Sequence, residues 1–171
     1  MGGYVAFALL RLAPGRLAGL VLADTRAEAD DEAARSNRDR MAETLAEGGA
    51  AAVFERMLPG LLGATTRAFR PAVVERVRRL VLAQPPEGIH RAIQSLKWRP
   101  DSTPLLASIT CPTLVVGGDE DQITAVEVAR SLHARIPGAD LAVIERAGHL
   151  SNLERPEAFN AALTGYLKRT S

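Results

Sequence analysis

Apolar positions along the chain change their spacing three times. From Gly2 to Ala13 nearly every residue is apolar and Pro14-Gly15 stops the run, the pattern of a helix buried on all sides. Leu17 to Ala23 (LAGLVLA) is a continuous apolar run closing on Asp24-Thr25, as a buried parallel strand would be written. From about Arg26 to Ala107 the spacing is helical throughout. Asp30–Glu47 is charged and alanine-rich and ends at Gly48-Gly49. Ala50–Leu62 follows, interrupted by Pro59-Gly60, then Pro71–Leu82 with Val74, Val77 and Val81 in register. Pro86–Trp98 is the fourth helical stretch and Pro100 ends it. Alternation returns at Ile109: the β-branched run Cys111–Gly118 predicts a strand opening into a glycine turn. Ala125–Ile136 predicts a helix facing inward through Val126, Ala129, Leu132 and Ile136. Asp140–Glu145 predicts another strand, and Pro156–Leu167 a last helix with Phe159, Leu163, Tyr166 and Leu167 inward.

Strand and helix alternate at both ends and helices fill the middle. The fold class this predicts is α/β: a partial doubly wound parallel sheet of about three strands with a helical insertion. Residues 1–25 and 108–171 are the expected sheet core, and 26–107 the expected insertion. Sheets of this kind usually have about 5–6 strands, so the pattern resembles part of a larger sheet. Its first strand and first helix then lack cover, which predicts poor behaviour in isolation.

Composition narrows the class of protein without choosing a function. At 171 residues with 47% apolar and 24% charged residues, the chain has the makings of one ordinary core. Twenty-one basic residues against 20 acidic ones leave a net charge of +1, which supplies no basic surface for nucleic acid. The single cysteine, Cys111, excludes an intrachain disulfide and a cysteine-rich metal site, and fits a reducing cytoplasm. The apolar start has no basic segment before it and falls short of the roughly 20 residues of a membrane span. The expectation is a cytoplasmic protein without membrane contact, metal or cofactor.

In open parallel sheets the reactive groups gather beyond the carboxyl ends of the strands. Two such loops carry them here: Gly118-Asp119-Glu120-Asp121-Gln122 and Ala147-Gly148-His149-Leu150-Ser151. Acids at strand exits are often plain turn formers, and a lone loop histidine is often structural. Together, at successive exits of one half-sheet, they fit a carboxylate that orients an imidazole base. Asp24 follows a strand too, though Asp24-Thr25 fits better as a cap leading into the insertion. His90, His133 and the arginines of Arg76–Arg79 fall on helix surfaces without partner residues. Trp98 is a candidate for lining a substrate pocket.

Residues 112–124 (PTLVVGGDEDQIT) and 147–159 (AGHLSNLERPEAF) resemble the acid and histidine segments of the α/β-hydrolase family. Residues 20–25 (LVLADT) and 99–106 (RPDSTPLL) fit the same pattern. Within the family the resemblance is greatest to 3-oxoadipate enol-lactonases and related small esterases. It implies that Asp121 orients and stabilises the imidazolium of His149, the general base and then general acid. It also implies that residues 26–107 form a cap over the pocket. The family's nucleophile sits in a Gly-x-Ser-x-Gly turn. Met1-Gly2-Gly3 resembles the second half of that turn, which puts the serine immediately before Met1 and makes the Met1 backbone N–H the oxyanion donor. None of the seven serines, Ser36, Ser95, Ser102, Ser108, Ser131, Ser151 and Ser171, has the spacing of that turn. Cys111 begins a strand at the end away from the loops. The resemblance therefore implies a small ester or lactone as substrate and a chain inactive alone. A separate N-terminal half or a homo-oligomer is a possible partner, and a non-catalytic ligand-binding or partner-binding module is the alternative.

Overall fold

A computed structural model describes residues 1–170; Ser171 lies outside the described residues. Three parallel strands, β1 (Leu20–Ala23), β2 (Thr113–Gly118) and β3 (Asp140–Ile144), form one sheet in that order. Every residue of the central strand β2 is buried, as its run of Leu, Val and Gly without a charged residue fits a strand covered on both faces.

Helices α1 (Gly2–Leu12) and α6 (Val126–Arg135) cover one face of this sheet. Phe7 and Leu10 meet Leu20, Leu22 and Val115 there, together with Ala129, Leu132 and Ile136. Helix α7 (Pro156–Thr170) covers the other face, where Tyr166, Phe159 and Leu163 pack on Leu114, Val116 and Ile144. The Tyr166 hydroxyl also ties the amino ends of two strands, donating to Pro112 O at 2.9 Å and accepting from Leu20 N at 3.1 Å. Leu167, expected inward, is half exposed; Tyr166 beside it takes the buried position because its hydroxyl has these backbone partners.

Between β1 and β2 the regular structure is all helical: α2 (Glu32–Leu61), α3 (Ala64–Phe69), α4 (Pro71–Leu82) and α5 (Pro86–Lys97), followed by a short 3-10 turn. Asp31 caps α2, accepting from Ala34 N at 2.7 Å. Gly49, at φ 64°, breaks α2 in its middle, a conformation that glycine adopts without a Cβ penalty. The interruption expected at Pro59-Gly60 does not occur. The helix runs on to Leu61 although Pro59 has no N–H for the carbonyl of Glu55, because Phe54, Met57, Leu58 and Leu61 pack against α4.

The expectation that α1 is buried on all sides also needs correction. Only Phe7 and Leu10 are buried, whereas Val5 is 65% and Leu12 83% exposed. α1 lies over the edge strand β1, and these three strands have no surface left for its outer side.

Candidate active site

β2 and β3 are parallel neighbours, so the loops leaving their carboxyl ends emerge together. The backbone joins them: Asp119 N donates to Ile144 O at 3.2 Å and Glu120 N to Ala147 O at 2.8 Å. Gly118 allows the approach, because it lies directly against the Ala147 and Gly148 carbonyls.

Asp121 and His149 meet in this space. Asp121 Oδ2 lies 2.9 Å from His149 Nδ1, with the Asp121 side chain fully buried and the imidazole 20% exposed. Oδ2 also accepts the Thr124 hydroxyl at 2.6 Å, while Oδ1 accepts the amides of Ile123 at 2.7 Å and Thr124 at 2.9 Å. An ionised carboxylate only accepts, so the proton between the pair belongs to Nδ1 and Nε2 is left as the free nitrogen. Burial works to raise the Asp121 carboxyl. The hydrogen bond and charge of His149 and the Thr124 contacts outweigh it, and hold Asp121 below the usual carboxylate range. Asp119, one of the three acids in the loop, instead accepts Ala147 N at 3.3 Å and braces the turn.

Asp24 does not cap the path into the helical segment as expected; Asp31 does that. With φ at 46°, Asp24 turns its carboxylate back over the sheet. Oδ1 accepts Gly118 N at 3.2 Å, and Oδ2 accepts the Ser151 hydroxyl at 2.6 Å and the Ser151 amide at 3.3 Å. It thus links β1 to the loops of both Asp121 and His149. Burial pushes its carboxyl up to about 6, against the lowering effect of the Ser151 hydroxyl and of His149, with Asp121 adding to the rise. The folded chain therefore holds this proton more tightly than the unfolded chain. The stability it contributes is complete below the ordinary value of 3.8 and is lost as pH rises through about 6. Asp121 has the opposite sign, contributing above the ordinary value and losing its contribution as pH falls. Urea titrations from pH 4 to pH 7 should show Asp24→Asn without a loss of roughly 2–3 kcal/mol that the natural chain suffers across that interval. Equal slopes for both proteins would show that Asp24 does not titrate there.

The other residues singled out in the sequence make no hydrogen bond to this pair. Met1 opens α1, its carbonyl accepting Tyr4 N at 3.0 Å. Trp98 is 63% exposed at the end of α5, with the Arg35 guanidinium and the Lys97 ammonium each 5.1 Å from its ring centre. His90, His133, Arg76, Arg78 and Arg79 are exposed on their helices. Among the described residues no three His, Cys, Asp or Glu are grouped to hold a metal ion, and no helix is long and apolar enough to cross a membrane.

Sequence reasoning gave no site role to Thr124, Glu120 or Glu154. Thr124 was legible as the third residue after Asp121, the spacing at which an aspartate turn collects a hydroxyl and an amide. Glu154 is fully buried with only backbone donors around it, which local sequence does not signal.

The successive exits of β2 and β3 thus hold a carboxylate and an imidazole in hydrogen-bond contact. Residues 1–162 match the model of the alpha/beta hydrolase family, and the chain belongs to that family. It is 32% identical over 176 residues to 3-oxoadipate enol-lactonase 2 of Acinetobacter baylyi, covering 99% of this chain and 61% of the relative. A thermophilic esterase from Thermogutta terrifontis superposes with a TM-score of 0.94 at 41% identity, over 99% of this chain and 62% of that one. The enol-lactonase from Burkholderia xenovorans gives 0.86 at 26% identity, over 98% and 63%. The chain thus spans about three-fifths of the length of these relatives.

Proposed function

We propose that these residues form the acid–base part of a hydrolase of small carboxylic esters or lactones that needs no cofactor. The nucleophile and the first strands come from outside the 171 residues. The observation that carries this reading is the contact of His149 Nδ1 with Asp121 Oδ2, which leaves Nε2 free for a proton. A hydroxyl nucleophile placed before Met1, at the head of α1, gives its proton to Nε2 as it attacks the substrate carbonyl. His149 then returns that proton to the leaving alkoxide, and an acyl-enzyme remains. Water, deprotonated by the same nitrogen, then attacks the acyl carbon, and the proton passes from Nε2 to the nucleophile oxygen as its bond to the acyl group breaks and the acid is released. Asp121 keeps the ring in the right tautomer and stabilises the imidazolium, and the Met1 backbone N–H supplies one oxyanion donor.

Helices α2–α5 act as the cap that shapes the pocket, with Trp98 a candidate lining residue. The relatives named esterase and enol-lactonase support the substrate class, and the exposed outer side of α1 supports a covering segment. The test is co-expression with a segment that carries the first strands and ends in Gly-x-Ser. Hydrolysis of a p-nitrophenyl ester or a small lactone should appear in the complex and be absent from the chain alone. A complex that forms but neither labels with a fluorophosphonate nor turns over would turn the reading toward a non-catalytic binding module.

A further inference from the structure

Glu154 is a carboxylate with 0% exposure; among the described residues none forms a salt bridge with it, and the Arg70 guanidinium nearby donates to its main-chain carbonyl. Moving such a group out of water costs several kcal/mol unless its oxygens are fully hydrogen-bonded. Its partners are all backbone amides. Oε1 accepts Gly148 N at 2.9 Å and Leu150 N at 3.2 Å, the residues on either side of His149. Oε2 accepts Gly63 N at 2.9 Å, at the junction of α2 and α3 in the helical segment. One side chain therefore holds both flanks of His149 and one point of the cap.

The loop of Asp121 meets the same junction. Glu120 Oε2 accepts Thr65 N at 2.8 Å, and Oε1 accepts the Thr65 hydroxyl. Around these polar contacts Leu61 and Leu62 pack with Ile123, Leu150 and Leu153, which lie in or just after the two loops. The fit leaves no slack. A Cβ on Gly63 would lie 2.5 Å from Glu120 Oε2 and 3.0 Å from Gly148 N, and one on Gly148 would lie 2.8 Å from Leu62 C.

We infer that Glu154 is a positioning residue that, with Glu120, couples the cap junction Leu62–Thr65 to the His149–Asp121 pair, so that the cap's seating sets the geometry of the pair. The inference rests on the reading of that pair as the acid and base. A carboxylate suits the task because both oxygens accept, and three amides need acceptors at once. Glutamine keeps the size but presents an NH2 group to at least one of those amides. Either Gly63 or the flanks of His149 then lose their acceptor.

The experiment needs no hydrolysis, so it fails or succeeds independently of the proposed reaction. Proton NMR on the full chain follows the Nδ1–H of His149, which gives a downfield line while it is held on Asp121. Glu154→Gln should accelerate exchange of this proton with water at least tenfold while the melt stays cooperative. Thr65→Val, which removes one donor to Glu120 far from the ring, should accelerate it by a smaller factor. An unchanged line and exchange rate in folded Glu154→Gln would overturn the inference. If Glu154→Gln does not fold, Thr65→Val decides: faster exchange upholds the coupling and an unchanged rate overturns it. Should the coupling hold and the co-expressed complex still lack turnover, the functional reading alone has failed.

Discussion

His149→Ala is expected to lower kcat of the reconstituted hydrolase at least about a thousandfold, with KM changed far less. The variant removes the only imidazole on the strand-exit loops and leaves the nucleophile hydroxyl without a base. Asp121→Asn should be nearly as severe for a different reason. Its amide can turn an N–H toward Nδ1, which expels the proton from that nitrogen and puts it on Nε2, where the mechanism needs a lone pair. The two losses act on one proton transfer, so the double variant should be little worse than His149→Ala alone. Single-turnover acylation rates separate this from a binding effect. A double variant whose losses multiply would show that Asp121 and His149 work independently.

Gly118→Ala is expected to cost about 2–4 kcal/mol, more than any surface change, and to displace the His149 loop. A Cβ at this position would lie against Ala147 O, 2.5 Å from Gly148 O and 2.8 Å from Ala147 C. All three atoms are backbone, so no side chain can swing aside to relieve the overlap. The loop must move, and the bond from Glu120 N to Ala147 O stretches with it. Gly15→Ala is the control, because a Cβ there meets nothing within 4 Å; its effect should stay within about 0.5 kcal/mol. Urea midpoints for the two variants compare them directly. A Gly118→Ala midpoint matching that of Gly15→Ala would mean that the two loops are not packed as described.

The strands and the meeting of Asp121 with His149 were legible because local signals and tertiary placement agree there. β2 is buried on both faces and its sequence is apolar on both, and Asp121 and His149 stand at strand exits where a parallel sheet collects its chemistry. α1 shows where such reading stops: its sequence reports the burial of a helix covered all round, and its Val5 and Leu12 are open. Asp24 and Glu154 were harder to place. Both carboxylates accept from amides distant in sequence, Gly118 and Ser151 for one and Gly63 for the other, and no periodicity encodes such partners. Proline near Gly60 signalled a stop that packing overrode, while Gly49 produced the break that its φ permits.

The register of the sheet has a consequence for the order in which the molecule assembles. Leu114 pairs with Asp140 across a single helix, whereas Leu20 pairs with Thr113 across the whole helical segment. The entropy lost on closing a loop grows with its length, and contacts distant in sequence are the slow ones to form. The β2–α6–β3 unit, which carries Asp121 and leads into His149, is the fragment able to close early. β1 arrives as the late partner and brings Asp24 with it. The contact between acid and base is thus within reach of a partly folded chain, and the carboxylate that fastens both loops to the rest of the sheet is added at the end.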